Sequence, residues 1–125
     1  MEYSDALLDH FRNPRNAGMM REPDGVGEGE YEQCMDLARF YLRVREGRVA
    51  EARFQAYGCG PTLAACSVGT EVAAGTRLEE LADIGEARIE DAVGGLPAER
   101  RHAAAVVALA LQAAARDALA RRAGD

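Results

Sequence analysis

A chain of 125 residues with 48% apolar and 29% charged residues has the composition of one globular domain, with material for a single core and not for two. A net charge of −6 excludes a nucleic-acid surface, since phosphate binding needs a basic face. All 15 basic residues are arginine, so lysine nucleophiles and Schiff bases are excluded as well.

No apolar run reaches bilayer-spanning length, and Met1-Glu2-Tyr3-Ser4-Asp5 lacks the basic and apolar regions of a signal peptide, so the expectation is a cytoplasmic protein with no membrane partner. The three cysteines, Cys34, Cys59 and Cys66, are an odd set without the spacing of a disulfide framework. In a reducing compartment they read as thiols for metal or sulfur chemistry.

In chain order, Ser4 caps a helix over Asp5 to Arg12, with Leu7, Leu8 and Phe11 at core-facing spacing and Asn13-Pro14 as its end. Gly18 to Gly29 is rich in Gly, Pro, Asp and Glu and reads as an exposed, mobile loop. From Met35 to Arg45 the pattern alternates: Ala38, Phe40, Leu42 and Val44 face the core, opposite Arg39, Tyr41, Arg43 and Arg45. Glu46-Gly47 is a turn. The next strand places Ala50, Ala52, Phe54 and Ala56 inward, opposite a solvated face of Glu51, Arg53, Gln55 and Tyr57, and completes a hairpin whose Phe and Ala face needs helices over it.

Helical periodicity resumes after Pro61, through Leu63, Ala64, Val68, Val72 and Ala73, and stops at Gly75. Thr76-Arg77-Leu78-Glu79 resembles a capping box opening a short helix to about Asp83. A second short helix spans Ile89 to Val93 and ends at Gly94-Gly95. The longest helix, Ala-rich, runs from Ala103 to about Arg121.

The chemistry concentrates at Gly58-Cys59-Gly60-Pro61. Two glycines leave the thiol uncrowded, and the positive end of the following helix favours its thiolate form. Cys34 and Asp36 are two apart where the first hairpin strand begins, so an extended chain points both one way, about 6.6 Å apart. Antiparallel pairing brings Cys59 to the same end, and a helix starting near Pro97 adds His102. Two thiolates, a carboxylate and an imidazole are donors enough for tetrahedral zinc or part of an iron–sulfur site. Taken singly, Cys34 reads as a small buried apolar residue, Asp36 as a strand-edge charge and His102 as a solvated helix residue; their coincidence at one end of one hairpin carries the case. Asp9-His10 reads as surface capping. Cys66, about two helical turns or roughly 10 Å beyond Cys59, reads as a packing thiol, with a relay or resolving role as the lesser alternative. Neither Thr62 nor Ser67 shows a nucleophile–base pattern with a histidine.

Tyr3-Ser4, Asp9-His10, Asn13-Pro14-Arg15-Asn16, Cys34-Met35-Asp36, Ala52-Arg53-Phe54, Tyr57-Gly58-Cys59-Gly60, Thr70-Glu71 and Leu96-Pro97 ahead of His102 together resemble the IscU/NifU-type iron–sulfur cluster assembly scaffolds. The resemblance covers nearly the whole chain and implies one α+β domain over residues 1–125, with a three-stranded antiparallel sheet covered on one face by about five helices. The third strand then falls near Val26 to Tyr31. It also implies a non-enzymatic carrier that accepts sulfur from a cysteine desulfurase, binds iron and a [2Fe–2S] cluster at Cys34, Asp36, Cys59 and His102, and passes the cluster to apo-proteins. Zinc is the alternative occupant.

Three departures stand beside the likeness. Ala103 replaces the family's third cysteine, Met35 replaces the glycine of Cys-Gly-Asp, and Leu96-Pro97-Ala98-Glu99-Arg100 carries a charge where the family's chaperone-recognition segment has Val, which argues against chaperone handover. The missing cysteine raises two alternatives: a zinc-binding regulatory or interaction module of a desulfurase, and a persulfide carrier with Cys59 as acceptor. It also points to a homodimer in which each protomer contributes Cys34 and Cys59 to a shared cluster.

Overall fold

The computed structural model describes residues 3–33 and 35–123. Its elements are α1 (Asp5–Arg12), β1 (Gly25–Tyr31), β2 (Asp36–Arg45), β3 (Arg48–Tyr57), α2 (Gly60–Ala73), α3 (Leu78–Leu81), α4 (Glu86–Ala92), a 3-10 turn (Ala98–Arg100) and α5 (His102–Ala123). The strands form one antiparallel sheet in the order β1-β2-β3, with α2 and α5 on its apolar face, α1 against α2, and α3 and α4 against α5. This is the expected α+β architecture.

The hairpin forms because both turn residues tolerate the left-handed region: Glu46 has φ 53° and Gly47 φ 78°, the pattern whose twist matches that of paired strands. Ala38, Phe40 and Leu42 are fully buried as the alternation predicts. The second strand departs from the prediction, because the register shifts between Arg43, opposite Glu51, and Val44, opposite Val49. This bulge leaves Ala50 exposed and turns Val49 inward to join Ala52 and Phe54 in the core. On the other face Tyr41 is buried, not solvated, and its hydroxyl meets the Gln55 side chain.

The predicted loop over Gly18 to Gly29 is overturned from Gly25 onward, where β1 begins, as the family resemblance implies. Glycine at every second position erases the apolar signal of a strand, and the structure shows why glycine is there. A Cβ on Gly25 would lie 2.5 Å from the Ala114 carbonyl oxygen, on Gly27 2.1 Å from the Ala114 nitrogen, and on Gly29 2.3 Å from the Val106 carbonyl oxygen. α5 therefore lies directly on the backbone of β1. Its own contact face is small as well: Ala110, Ala114 and Ala118 are all buried. Contrary to the sequence expectation, the segment Ala98–Arg122 is long and apolar enough to cross a bilayer by length and composition. Its apolar face instead closes the core through Ala103, Val107 and Leu111, the ordinary state of a central helix in a packed domain.

Both edge strands make hydrogen bonds outside the sheet. The Asp117 carboxylate accepts from Val26 N–H at 2.9 Å beside β1. Along β3 the Phe54 carbonyl accepts from Gly18 N–H at 2.7 Å, and Val49 N–H donates to the Thr76 carbonyl at 3.0 Å. Thr76 is not the first residue of a capping box. Its hydroxyl donates back to the Val72 carbonyl at 2.8 Å, closing α2, and α3 begins after Arg77 and spans only Leu78–Leu81. Ser4, in contrast, caps α1 as expected, accepting from Leu7 N–H at 3.0 Å.

Candidate metal centre

Three chain points meet at one end of the hairpin. Asp36 opens β2, Cys59 is the residue preceding α2, and His102 opens α5. The last β2–β3 pair, Leu37 opposite Tyr57, delivers Cys59 beside Asp36, and the core packing of α5 delivers His102 from below. One donor atom from each lies within 4.8 Å of the other two. Cys34, the fourth expected ligand, lies outside the described residues. Met35 has φ 56°, so the chain entering β2 is not extended as the spacing argument assumed.

Asp36 is the hub. Its side chain is 1% exposed and Oδ2 lies 2.6 Å from His102 Nε2. The same oxygen accepts from the Thr62 hydroxyl at 3.0 Å, and Oδ1 accepts from Cys59 N–H at 3.3 Å. Thr62 Oγ1 also lies 3.3 Å from Cys59 Sγ. A Cβ on Gly58 would sit 2.3 Å from Asp36 Oδ1, so glycine at 58, with φ 154°, clears the space that the carboxylate fills. Both oxygens of the buried Asp36 carboxylate thus have partners, as burial requires.

A thiolate, an imidazole and a carboxylate together suit zinc or iron. Around a tetrahedral ion with bonds of about 2.1 Å, donors stand roughly 3.4 Å apart. The 2.6 Å Asp36–His102 contact is therefore a hydrogen bond, which a cation held by both residues would have to replace.

The remaining predicted residues resolve differently. Cys66 is fully buried in the core, and burial pushes its thiol well above the ordinary range, the setting of a packing thiol. Ala103 is fully buried. His10 is not a surface cap. It is 7% exposed, with Nδ1 2.7 Å from Ser67 Oγ and Nε2 3.2 Å from Glu71. Arg15 N–H donates to the same Ser67 Oγ at 2.8 Å. Asp9 pairs instead with Arg15, at 2.6 Å.

Sequence reasoning missed Thr62 and Tyr31. Thr62 sits three residues after Cys59, in the first turn of α2, a spacing that would place its hydroxyl near the thiol. Tyr31 is visible only through the β1–β2 register, which pairs it with Asp36.

The fold and this cluster define a small α+β domain with a mixed thiol, imidazole and carboxylate site at one sheet end. The chain belongs to the NifU-like N terminal domain family, whose model matches residues 2–124. It is 39% identical over 112 residues to the iron–sulfur cluster assembly scaffold protein IscU 1 of Archaeoglobus fulgidus, covering 90% of this chain and 73% of that protein. It is 37% identical over 121 residues to the scaffold protein IscU of Azotobacter vinelandii, covering 94% of each. Among solved structures it is similar to a NifU-like N-terminal protein from Brucella abortus, with a TM-score of 0.72 at 21% identity over 94% of both chains, a likeness of fold.

Proposed function

We propose that this protein is an iron–sulfur cluster assembly scaffold or carrier, with Asp36, Cys59 and His102, together with Cys34, as the residues that hold iron or a [2Fe–2S] cluster as cargo. The observation that carries the reading is the convergence of three donor atoms within 4.8 Å on three separate elements. Relatives named as scaffolds, similar over nearly the whole chain, support it.

In this reading Cys59 thiolate attacks the terminal sulfur of a persulfide on a cysteine desulfurase. The desulfurase S–S bond breaks, its cysteine leaves as thiolate, and Cys59 carries the persulfide. Two electrons from an external reductant then release each sulfur as sulfide. Asp36 is a hard donor toward soft cargo, and its competing hydrogen bonds to Cys59 N–H, Thr62 and His102 favour return of the metal-free state, which suits a site that must hand its cargo to an apo-protein.

Leu96 and Pro97 are buried, which supports the reading that this segment is not offered to a chaperone. A zinc-holding interaction module of a desulfurase is the second reading, favoured by the buried Ala103 at the family's third cysteine position.

Anaerobic reconstitution with ferrous iron, cysteine, a reductant and a cysteine desulfurase tests the proposal. A coloured protein with [2Fe–2S] charge-transfer absorption is expected. A colourless protein retaining zinc would replace the scaffold reading with the second one, and persulfide on Cys59 without iron uptake would leave a sulfur carrier.

A further inference from the structure

A histidine that binds a metal through one nitrogen is normally oriented by a hydrogen bond from the other. Among the described residues His102 shows no such bond: Nε2 faces Asp36 Oδ2, and no hydrogen-bond partner stands at Nδ1. Rotation about the Cβ–Cγ bond of histidine is soft, with two broad wells, so a contact on the ring face bears directly on the ring plane. The structure supplies an aromatic ring. Tyr31 stacks on the imidazole with centroids 4.7 Å apart and planes 17° from parallel.

The placement of Tyr31 is itself determined. It is the last residue of β1, directly opposite Asp36 in the β1–β2 register, so the residue stacked on the imidazole and the residue that meets its Nε2 sit on one rung of the sheet. Its hydroxyl donates to Gln33 Oε1 at 2.7 Å, tying the ring to the turn that leads into β2. β1 lies directly against α5 along the glycine strip, so the strand that ends at Tyr31 and the helix that opens with His102 are packed on one another.

We infer that Tyr31 is the positioning residue of this site: its ring, stacked on His102, holds the imidazole in the plane that directs Nε2 at a cation shared with Asp36 and Cys59. The inference rests on the metal-binding reading above for its consequence, but the stack itself is testable without metal.

Two measurements on the full chain, with Tyr31→Phe and Tyr31→Ala, decide it. In Co(II) titrations followed by visible absorption, Tyr31→Ala weakens binding about tenfold, while Tyr31→Phe, which keeps the ring and loses only the hydroxyl, stays within about twofold of the parent. In metal-free protein, the carbon-bound ring protons of His102 show an upfield ring-current displacement in the parent and in Tyr31→Phe that is lost in Tyr31→Ala. Thermal unfolding of each variant separates a local effect from a loss of fold. Equal Co(II) affinity in Tyr31→Ala and parent would overturn the inference, as would the absence of the ring-current displacement in the parent. A parent that binds no Co(II) defeats the metal-site reading, and the proton displacement alone then decides whether Tyr31 orients His102.

Discussion

His102 Nε2 and Asp36 Oδ2 stand 2.6 Å apart although 66 positions separate them in sequence, and this contact ties the first residue of α5 to the first residue of β2. It makes Asp36 a structural residue in the metal-free protein as well as a candidate ligand. Asp36→Ala leaves the Thr62 hydroxyl, the Cys59 N–H and His102 without their acceptor. Urea unfolding of the metal-free variant should therefore show a loss of about 2 kcal/mol, the usual cost of orphaned buried donors. A variant as stable as the parent would show the network to be incidental.

Thr62 has one hydroxyl proton and two neighbours for it, Asp36 Oδ2 and Cys59 Sγ. Thr62→Val keeps the shape and removes the proton, so Asp36 loses one donor and the thiol its only side-chain partner among the described residues. A stability loss of about 1 kcal/mol is expected, with Thr62→Ser close to the parent. Equal loss in both variants would assign the effect to packing and not to the hydroxyl.

The contact between β1 and α5 has no room for a side chain. Gly27→Ala places a Cβ where the Ala114 backbone nitrogen already sits, 2.1 Å away, and backbone cannot rotate aside. The expected cost is about 3 kcal/mol, read by chemical denaturation. Gly85→Ala, where an added Cβ meets nothing within 4 Å, is the steric control and should cost no more than about 1 kcal/mol, the loss of a glycine at the start of α4.

His10 gives the fold a pH dependence. Burial, the larger cause, and the nearby Arg15 hold its imidazole below the ordinary value of 6.5, while Glu71 and Asp9 pull weakly the other way. Between the lowered folded value and 6.5 the unfolded chain binds the extra proton, so stability rises with pH across that window. The contribution is fully present above 6.5 and is lost as pH falls through the folded value. Unfolding midpoints measured from pH 8 to pH 5 should fall more steeply for the parent than for His10→Gln; parallel curves would remove His10 from the account.

Legibility in the sequence followed the kind of signal each element carried. β2, the β2–β3 turn and α1 were readable because alternation, positive-φ turn chemistry and a serine cap are local. β1 was hidden from residue-level reading because its inward positions, Gly25, Gly27 and Gly29, have no side chain to count; the helix atoms they approach most closely are 77 to 89 positions away, and only the family likeness placed the strand. Ala50 was assigned to the wrong face because one bulge reverses the parity of everything beyond it. Asp36, Cys59 and His102 were readable because the hairpin count alone brings two of them together. His10 and Tyr31 were not, since their partners, Ser67 and His102, are set by packing of helices and by strand register.

The absence of the family's third cysteine leads to one further expectation. If a cluster needs more thiolates than one chain offers, reconstituted protein should elute as a dimer and return to monomer when the cluster is removed with a chelator. A coloured monomer would show that a single chain completes the coordination.

The most direct test of the central claim, that Asp36, Cys59 and His102 grip a common cation, is X-ray absorption at the zinc edge of the zinc-loaded protein. The account predicts a mixed shell of sulfur at about 2.3 Å and nitrogen or oxygen at about 2.0 Å with the outer-shell scattering of an imidazole. A shell of oxygen and nitrogen alone, unchanged in His102→Ala, would contradict it.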